Sequence, residues 1–245
     1  MTTTIDHMIA IREKSNLALN PALGHAQTVS VELARTLPAG ELTKIYHGIE
    51  TKLVESEHRV VQFISAYGSE GTSKIGFETA LNAASLGKRV LFIDTDEKLH
   101  QSAQALAQTL TASLDTVVQF DRPLGDALVF DSTSNLFYAA FDEQNVALAN
   151  ISGFKRLLDD VRESFDLIVI NSSNILGNVF GLAISRIVDG SILVVEAEKT
   201  RAPVAQQVQK IISENGGKLI GAVLNKRKLY IPRWIYRLLY RDHSF

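Results

Sequence analysis

The chain has 245 residues, 46% apolar and 21% charged, which suits one large α/β domain, or a domain with a tail, built round a substantial core. A formal net charge of −2 excludes a polycation that binds nucleic acid over its whole surface, and the lack of cysteine removes disulfides, thiolate zinc sites, iron–sulfur clusters and cysteine nucleophiles together. Six scattered histidines do not suggest a histidine-only metal site, and no apolar run reaches the ~18 residues of a bilayer span. Met1-Thr2-Thr3-Thr4-Ile5-Asp6-His7 has no basic segment leading into an apolar one, so no secretory signal is expected and a cytoplasmic location is the default.

In chain order, residues 1–38 read as an N-terminal extension. Ile9-Ala10-Ile11-Arg12-Glu13-Lys14 could open a helix, but Asn20-Pro21 and Leu37-Pro38 punctuate it. A domain is expected over 39–229. It opens with helical spacing at Leu42, Ile45, Ile49 and Leu53. The β-branched run Val60 to Ala66 then enters a glycine-containing loop, and Ile75 to Ser85 reads as a helix closed by Gly87. Arg89 to Asp94 is a buried strand that stops on a carboxylate. Apolar runs at 136–140, 167–170, 192–195 and 219–224 alternate with helical stretches near 98–111, 152–164 and 201–215. The alternation implies an α/β fold with a mostly parallel central sheet and helices on both faces.

Ligands of such sheets sit beyond the carboxyl ends of the strands, so the loop Ser65-Ala66-Tyr67-Gly68-Ser69-Glu70-Gly71-Thr72-Ser73-Lys74 is the first place to look. A nucleotide phosphate loop needs glycines that let backbone N–H groups curl round phosphate, then a lysine, then a magnesium-binding hydroxyl. Gly68, Gly71 and Ser73 fit the template, but Thr72 stands where the lysine belongs. Lys74 lies two residues on, turned roughly 200° round the helix from Thr72, and is expected to face away. With two glycines only, the loop does not match a dinucleotide-binding fingerprint.

Five separated segments together resemble the bacterial tyrosine kinase (BY-kinase) family, the CpsD/CapB-like partners of capsule and exopolysaccharide export within the MinD/ParA-like P-loop group. They are the loop; Gly87 to Asp96; Phe165 to Asn171; Asp189 to Val195 with Lys199-Thr200-Arg201; and Val223 to Arg227 with Tyr230-Ile231-Pro232. The resemblance implies a three-layer P-loop NTPase-like fold, with ATP or ADP and magnesium as cofactors. It places Thr72 at the phosphate lysine and Ser73 at the magnesium hydroxyl, with Asp94 and Asp96 at the Walker A′ aspartates. Asn171 falls at the Walker B aspartate, and Asn225 and Arg227 fall near the base. Gly68, Gly71 and Lys74 complete the cofactor-binding candidates, and Ser73 and Asp94 are the metal candidates. The ring-forming E-x-x-R-x-x-R motif maps to Glu41, Lys44 and His47, with both arginines replaced by side chains that lack the planar fork.

Two charges are therefore missing where phosphoryl transfer needs them, and each such loss costs ~3–4 kcal/mol, roughly 100–1,000-fold in rate. The reading is a catalytically degenerate BY-kinase-like protein. It would regulate or scaffold exopolysaccharide or capsule biosynthesis and export, with the cytoplasmic part of a chain-length-determinant membrane protein as partner. A homo-oligomer is a further option, and no nucleic acid partner is expected. The alternatives are an active tyrosine autokinase or ATPase with a rearranged site using Lys74, Asp94 and Asp96, and a MinD/ParA-like membrane-positioning ATPase. Residues 230–245 read as a basic aromatic C-terminal helix. Ile231, Trp234, Ile235, Leu238 and Leu239 share one stripe, and Arg233, Arg237 and Arg241 share another. The stripe either docks on the domain or meets an anionic surface at the inner membrane. Tyr230, Tyr236 and Tyr240 are spaced along that segment without the extended tyrosine cluster of the kinases.

Overall fold

The apolar runs of the sequence become the strands of one sheet. The structure is a computed structural model that describes residues 23, 26–31, 33, 36–95, 101–141, 151–172 and 174–227. Asp96 and the 230–245 segment with its three tyrosines lie outside the described residues. Along the chain the elements are β1 (Gln27–Val29), α1 (Ala39–Lys52), β2 (Arg59–Ile64), α2 (Thr72–Ser85), β3 (Val90–Asp94), α3 (Gln101–Ala107), α4 (Leu114–Phe120), β4 (Val129–Asp131), β5 (Leu136–Ala140), α5 (Ile151–Val161), β6 (Leu167–Ser172), α6 (Val179–Ile184), β7 (Gly190–Glu196), α7 (Ala202–Glu214) and β8 (Leu219–Asn225).

The sheet order is β1-β4-β5-β3-β6-β2-β7-β8. From β5 to β8 all pairings are parallel, while β4 runs antiparallel to β5 and β1 runs parallel to β4. Parallel strands are covered on both faces, which is why β3 is buried at every residue. One face packs Phe63, Phe77, Phe92 and Tyr138 beneath α1, α2 and α3. The other packs Phe130, Phe137, Phe154 and Phe165 against α4, α5 and α6. Helix α2 is buried nearly all round. A Cβ at Gly76 would stand 3.3 Å from the Phe63 ring, so glycine there lets the helix approach the sheet closely. Gly87, with φ +84°, ends the helix as its spacing predicts.

Charge pins the amino ends of the strands. Asp166 accepts the Arg89 N–H at 2.7 Å and pairs with its guanidinium at 3.3 Å. Asp189 accepts the Val60 N–H at 2.7 Å and pairs with Arg162. The opposite edge, where β2, β3, β6, β7 and β8 deliver their carboxyl ends, is thereby left to loops.

Three features depart from the expectations. The segment read as an extension contributes β1, an edge strand in register with β4 (Gln27 opposite Val129). The elements α4, β4 and α6 have no counterpart in the pattern, because three to seven residues are too few for periodicity to register. Helix α3 covers 101–107 rather than 98–111.

Candidate functional site

Strand β2 runs straight into the loop and α2 leaves it. Gly68 (φ +83°) and Gly71 (φ +89°) hold the left-handed conformations that make the bend, and Gly71 caps α2. The first turn of α2 presents Thr72, Ser73 and Lys74. Thr72 is 1% exposed. Among the described residues, the buried oxygens Ser65 Oγ, Thr72 Oγ1, Ser73 Oγ and Glu70 Oε2 have no hydrogen-bond partner. Unsatisfied buried oxygens cluster at functional sites. Here they surround a helix N-terminus, whose free N–H groups and dipole favour an anion.

The parallel register brings Asp94 at the end of β3 directly opposite Asn171 of β6. Both are buried, and Asn171 Nδ2 donates to Asp94 Oδ1 at 2.8 Å. Thr95 Oγ1 donates to the Asn171 carbonyl at 2.7 Å and meets Ser172 Oγ at 2.9 Å. The field of Asp94 reaches further. Burial pushes the Tyr138 hydroxyl well above its ordinary pKa, and the Asp94 carboxylate adds to that rise.

A third group comes from β7 and β8, and only its outline was visible in the sequence. Asn225 Nδ2 donates to the Glu70 carbonyl at 2.7 Å. Lys226 Nζ donates to the Ser69 carbonyl at 2.7 Å, and Lys199 Nζ to Ser69 Oγ at 3.1 Å. Glu196 Oε2 lies 3.2 Å from both ammonium groups. Burial alone would raise the Glu196 carboxyl, but hydrogen bonds and charge from Lys226 and Lys199 outweigh it and hold the group below its ordinary value. Glu70, Glu196 and Lys226 were not singled out from the sequence as site residues. Their signal was the two apolar strands ending in short charged runs.

Of the residues expected at the site, Gly68, Gly71, Thr72, Ser73, Asp94, Asn171 and Asn225 are thus brought together on one edge. Lys74 follows on α2, and Arg227 lies exposed beyond β8. Glu41, Lys44 and His47 sit elsewhere, on α1. There Lys44 pairs with Glu41 and His47 meets Glu50, each at 2.9 Å. Glu41 and Lys44 also edge an apolar groove of about 510 Å³ between α1 and β8.

Glycine-shaped backbone, a helix N-terminus and the Ser73 hydroxyl fit a phosphate group. Among the described residues no three histidine or acidic side chains gather into a metal-binding set. Ser73 and Asp94, the metal candidates read from the sequence, stand at the first turn of α2 and the end of β3, and Asn171 offers an amide where a second carboxylate is expected.

The chain is 24% identical over 204 residues to tyrosine-protein kinase YwqD of Bacillus subtilis, covering 80% of this chain and 86% of YwqD. It is 24% identical over 194 residues to tyrosine-protein kinase CpsD of Streptococcus agalactiae, covering 77% and 84%. The fold superposes on the kinase domain of VpsO with a TM-score of 0.66 at 25% identity, covering 78% of this chain and 95% of that one. This chain is a relative of the bacterial tyrosine kinases. No protein-family model matches it. The relative also shares 28% identity over 191 residues with the succinoglycan biosynthesis transport protein ExoP of Rhizobium meliloti, spanning 71% of this chain and 23% of ExoP. Its P-loop NTPase-like fold extends to the Pyrococcus horikoshii division protein MinD complexed with Mg-ADP (TM-score 0.59, 18% identity, 74% and 76% covered). Among the described residues no helix is long and apolar enough to cross a membrane.

Proposed function

We propose that this relative of the bacterial tyrosine kinases is a catalytically degenerate member of the P-loop group, a regulator or scaffold of exopolysaccharide or capsule biosynthesis and export. The observation that carries the reading is the buried Asn171–Asp94 hydrogen bond, standing where two charged metal-binding positions are expected, beside a buried Thr72 in place of a lysine. Phosphoryl transfer depends on positioning and on neutralising spread negative charge. An amide and a hydroxyl supply neither the second carboxylate nor the ammonium. The residues keep what binding requires and lose what lowers the barrier.

The partner consistent with this reading is the cytoplasmic part of a chain-length-determinant membrane protein, in keeping with the likeness to ExoP. The exposed Glu41, Lys44 and His47 face of α1 beside its apolar groove is the candidate contact and the candidate homo-oligomer surface. A station at the inner membrane through 230–245 belongs to the same proposal.

The test is turnover. Purified protein with ATP and magnesium is expected to release no phosphate above background and to label no tyrosine on itself or on its relatives' substrates. Thr72→Lys combined with Asn171→Asp is expected to gain hydrolysis. Wild-type turnover at a rate ordinary for kinases, ~1–100 per second, would refute the proposal.

A further inference from the structure

We infer that Lys226, backed by Lys199, supplies the positive charge at the phosphate loop that position 72 lacks, so that the loop takes a diphosphate group through cations delivered from β8 and β7. Four observations lead there. The loop ends on a 14-residue helix whose N-terminus carries the buried, partnerless Thr72 Oγ1. A helix end of this kind favours an anion, and an orphaned hydroxyl at it offers a donor. Lys226 already reaches the place. Its Nζ is 2.7 Å from the Ser69 carbonyl, and its Cε is 3.9 Å from where a Cβ on Gly71, the cap of that helix, would stand.

The backbone is bent to put it there. Glu198 (φ +65°) and Lys226 (φ +55°) are both non-glycine residues in the left-handed region, one in each of the two turns that carry the lysines. Such conformations persist where the surroundings enforce them. The Lys226 turn is held by its own N–H donating to Asn225 Oδ1 at 2.8 Å, while Asn225 Nδ2 grips the Glu70 carbonyl. Finally, the two cations converge on the loop. Both ammonium groups meet one carboxylate, Glu196, at 3.2 Å, so neither is tied to a partner of its own. The carboxylate within the loop, Glu70, folds back to accept the Tyr67 N–H at 3.0 Å.

Lys226 keeps a flexible four-carbon stem and a 46% exposed side chain. It can exchange a neutral carbonyl acceptor for a phosphate oxygen, and a charge-assisted hydrogen bond is the stronger of the two. Because it approaches from β8 and not from the helix, its charge meets a diphosphate that is simply bound. It need not follow charge that develops during transfer. Affinity is kept without acceleration. Binding and turnover are read separately, so this inference and the proposed loss of catalysis stand or fall independently.

The experiment is calorimetric titration of the full chain with ADP and with inorganic pyrophosphate, without divalent cation and at low salt, alongside thermal shift. Wild type is expected to bind both, with affinity falling as salt rises. Lys226→Ala is expected to weaken binding at least tenfold and Lys199→Ala severalfold. Lys226→Arg should retain most of it, and Lys210→Ala, on the exposed face of α7, should leave it unchanged. Lys226→Gln can still donate to the Ser69 carbonyl. It is expected to fold as wild type and to bind as poorly as the alanine variant, which separates lost charge from lost structure. No heat and no thermal shift with either ligand in wild type would overturn the inference. So would full affinity in folded Lys226→Gln, or a loss caused by Lys74→Ala in its place.

Discussion

Replacing Asn171 by Asp tests the electrostatics of the site in isolation. In the wild type the amide donates to Asp94 at 2.8 Å, with Asn171 0% and Asp94 1% exposed. The substitution removes that donor and puts a second carboxylate against the first. Two unit charges 4 Å apart at an effective dielectric near 20 repel by about 4 kcal/mol, so the pair cannot both ionise at ordinary cost and one carboxyl is driven to hold a proton. The sign follows. The introduced carboxyl has a native pKa above its unfolded value, so the variant loses stability as pH rises through the neutral range. At pH 5 the protonated carboxyl can donate to Asp94 as the amide did. With no divalent cation, Asn171→Asp should cost about 3 kcal/mol at pH 8, a fall in Tm of roughly 6–12 °C for a chain of this size, and much less at pH 5. Thermal denaturation followed by circular dichroism at the two pH values measures it. A variant as stable as wild type at pH 8, or a deficit that does not shrink at pH 5, would refute the reasoning.

Gly71→Ala should destabilise the fold by about 1–3 kcal/mol in urea titration, since a side chain there must adopt φ +89° and would stand 2.5 Å from Asn225 Nδ2. Tyr138→Phe should leave stability unchanged or raise it by up to ~1 kcal/mol, because it removes a buried hydroxyl with no hydrogen-bond partner; a loss of more than 1 kcal/mol would show that the hydroxyl is satisfied. Burial raises the Glu50 carboxyl, but hydrogen bonds from Tyr46 and His47 more than offset it and hold it below its ordinary value of 4.5. Its contribution is therefore complete above that pH and is lost as pH falls through the lower native value. The gap in urea midpoint between wild type and Glu50→Gln should close as pH falls below 4.5.

Much of the site was readable before any coordinates. The glycine spacing after the Val60–Ala66 run marks a phosphate loop because backbone that curls round an anion needs left-handed residues, and φ +89° at Gly71 meets that need. Asp94 and Asn171 end apolar runs, but their roles at the site came from the family resemblance and not from the pattern. What stayed hidden was contact at long range. Glu196, Lys199 and Lys226 are separated from Ser69 by well over a hundred residues, and no local pattern says that two turns will close on it. The strands β1 and β4 escaped notice for a different reason, being three residues each.

Periodicity and glycine placement, properties of neighbours in the chain, determined the α/β class, the order of the main elements and the lysine missing at Thr72, while the charge missing at Asn171 was implied by the family resemblance. Only the folded sheet decided that the Asn171 amide would be spent on Asp94, that Thr72 would be buried, and that two lysines would lean on the loop from the far strands. Those outcomes depend on the β6–β3 register and the β7–β8 edge, which are settled by packing of the whole core and not by any stretch of sequence taken alone.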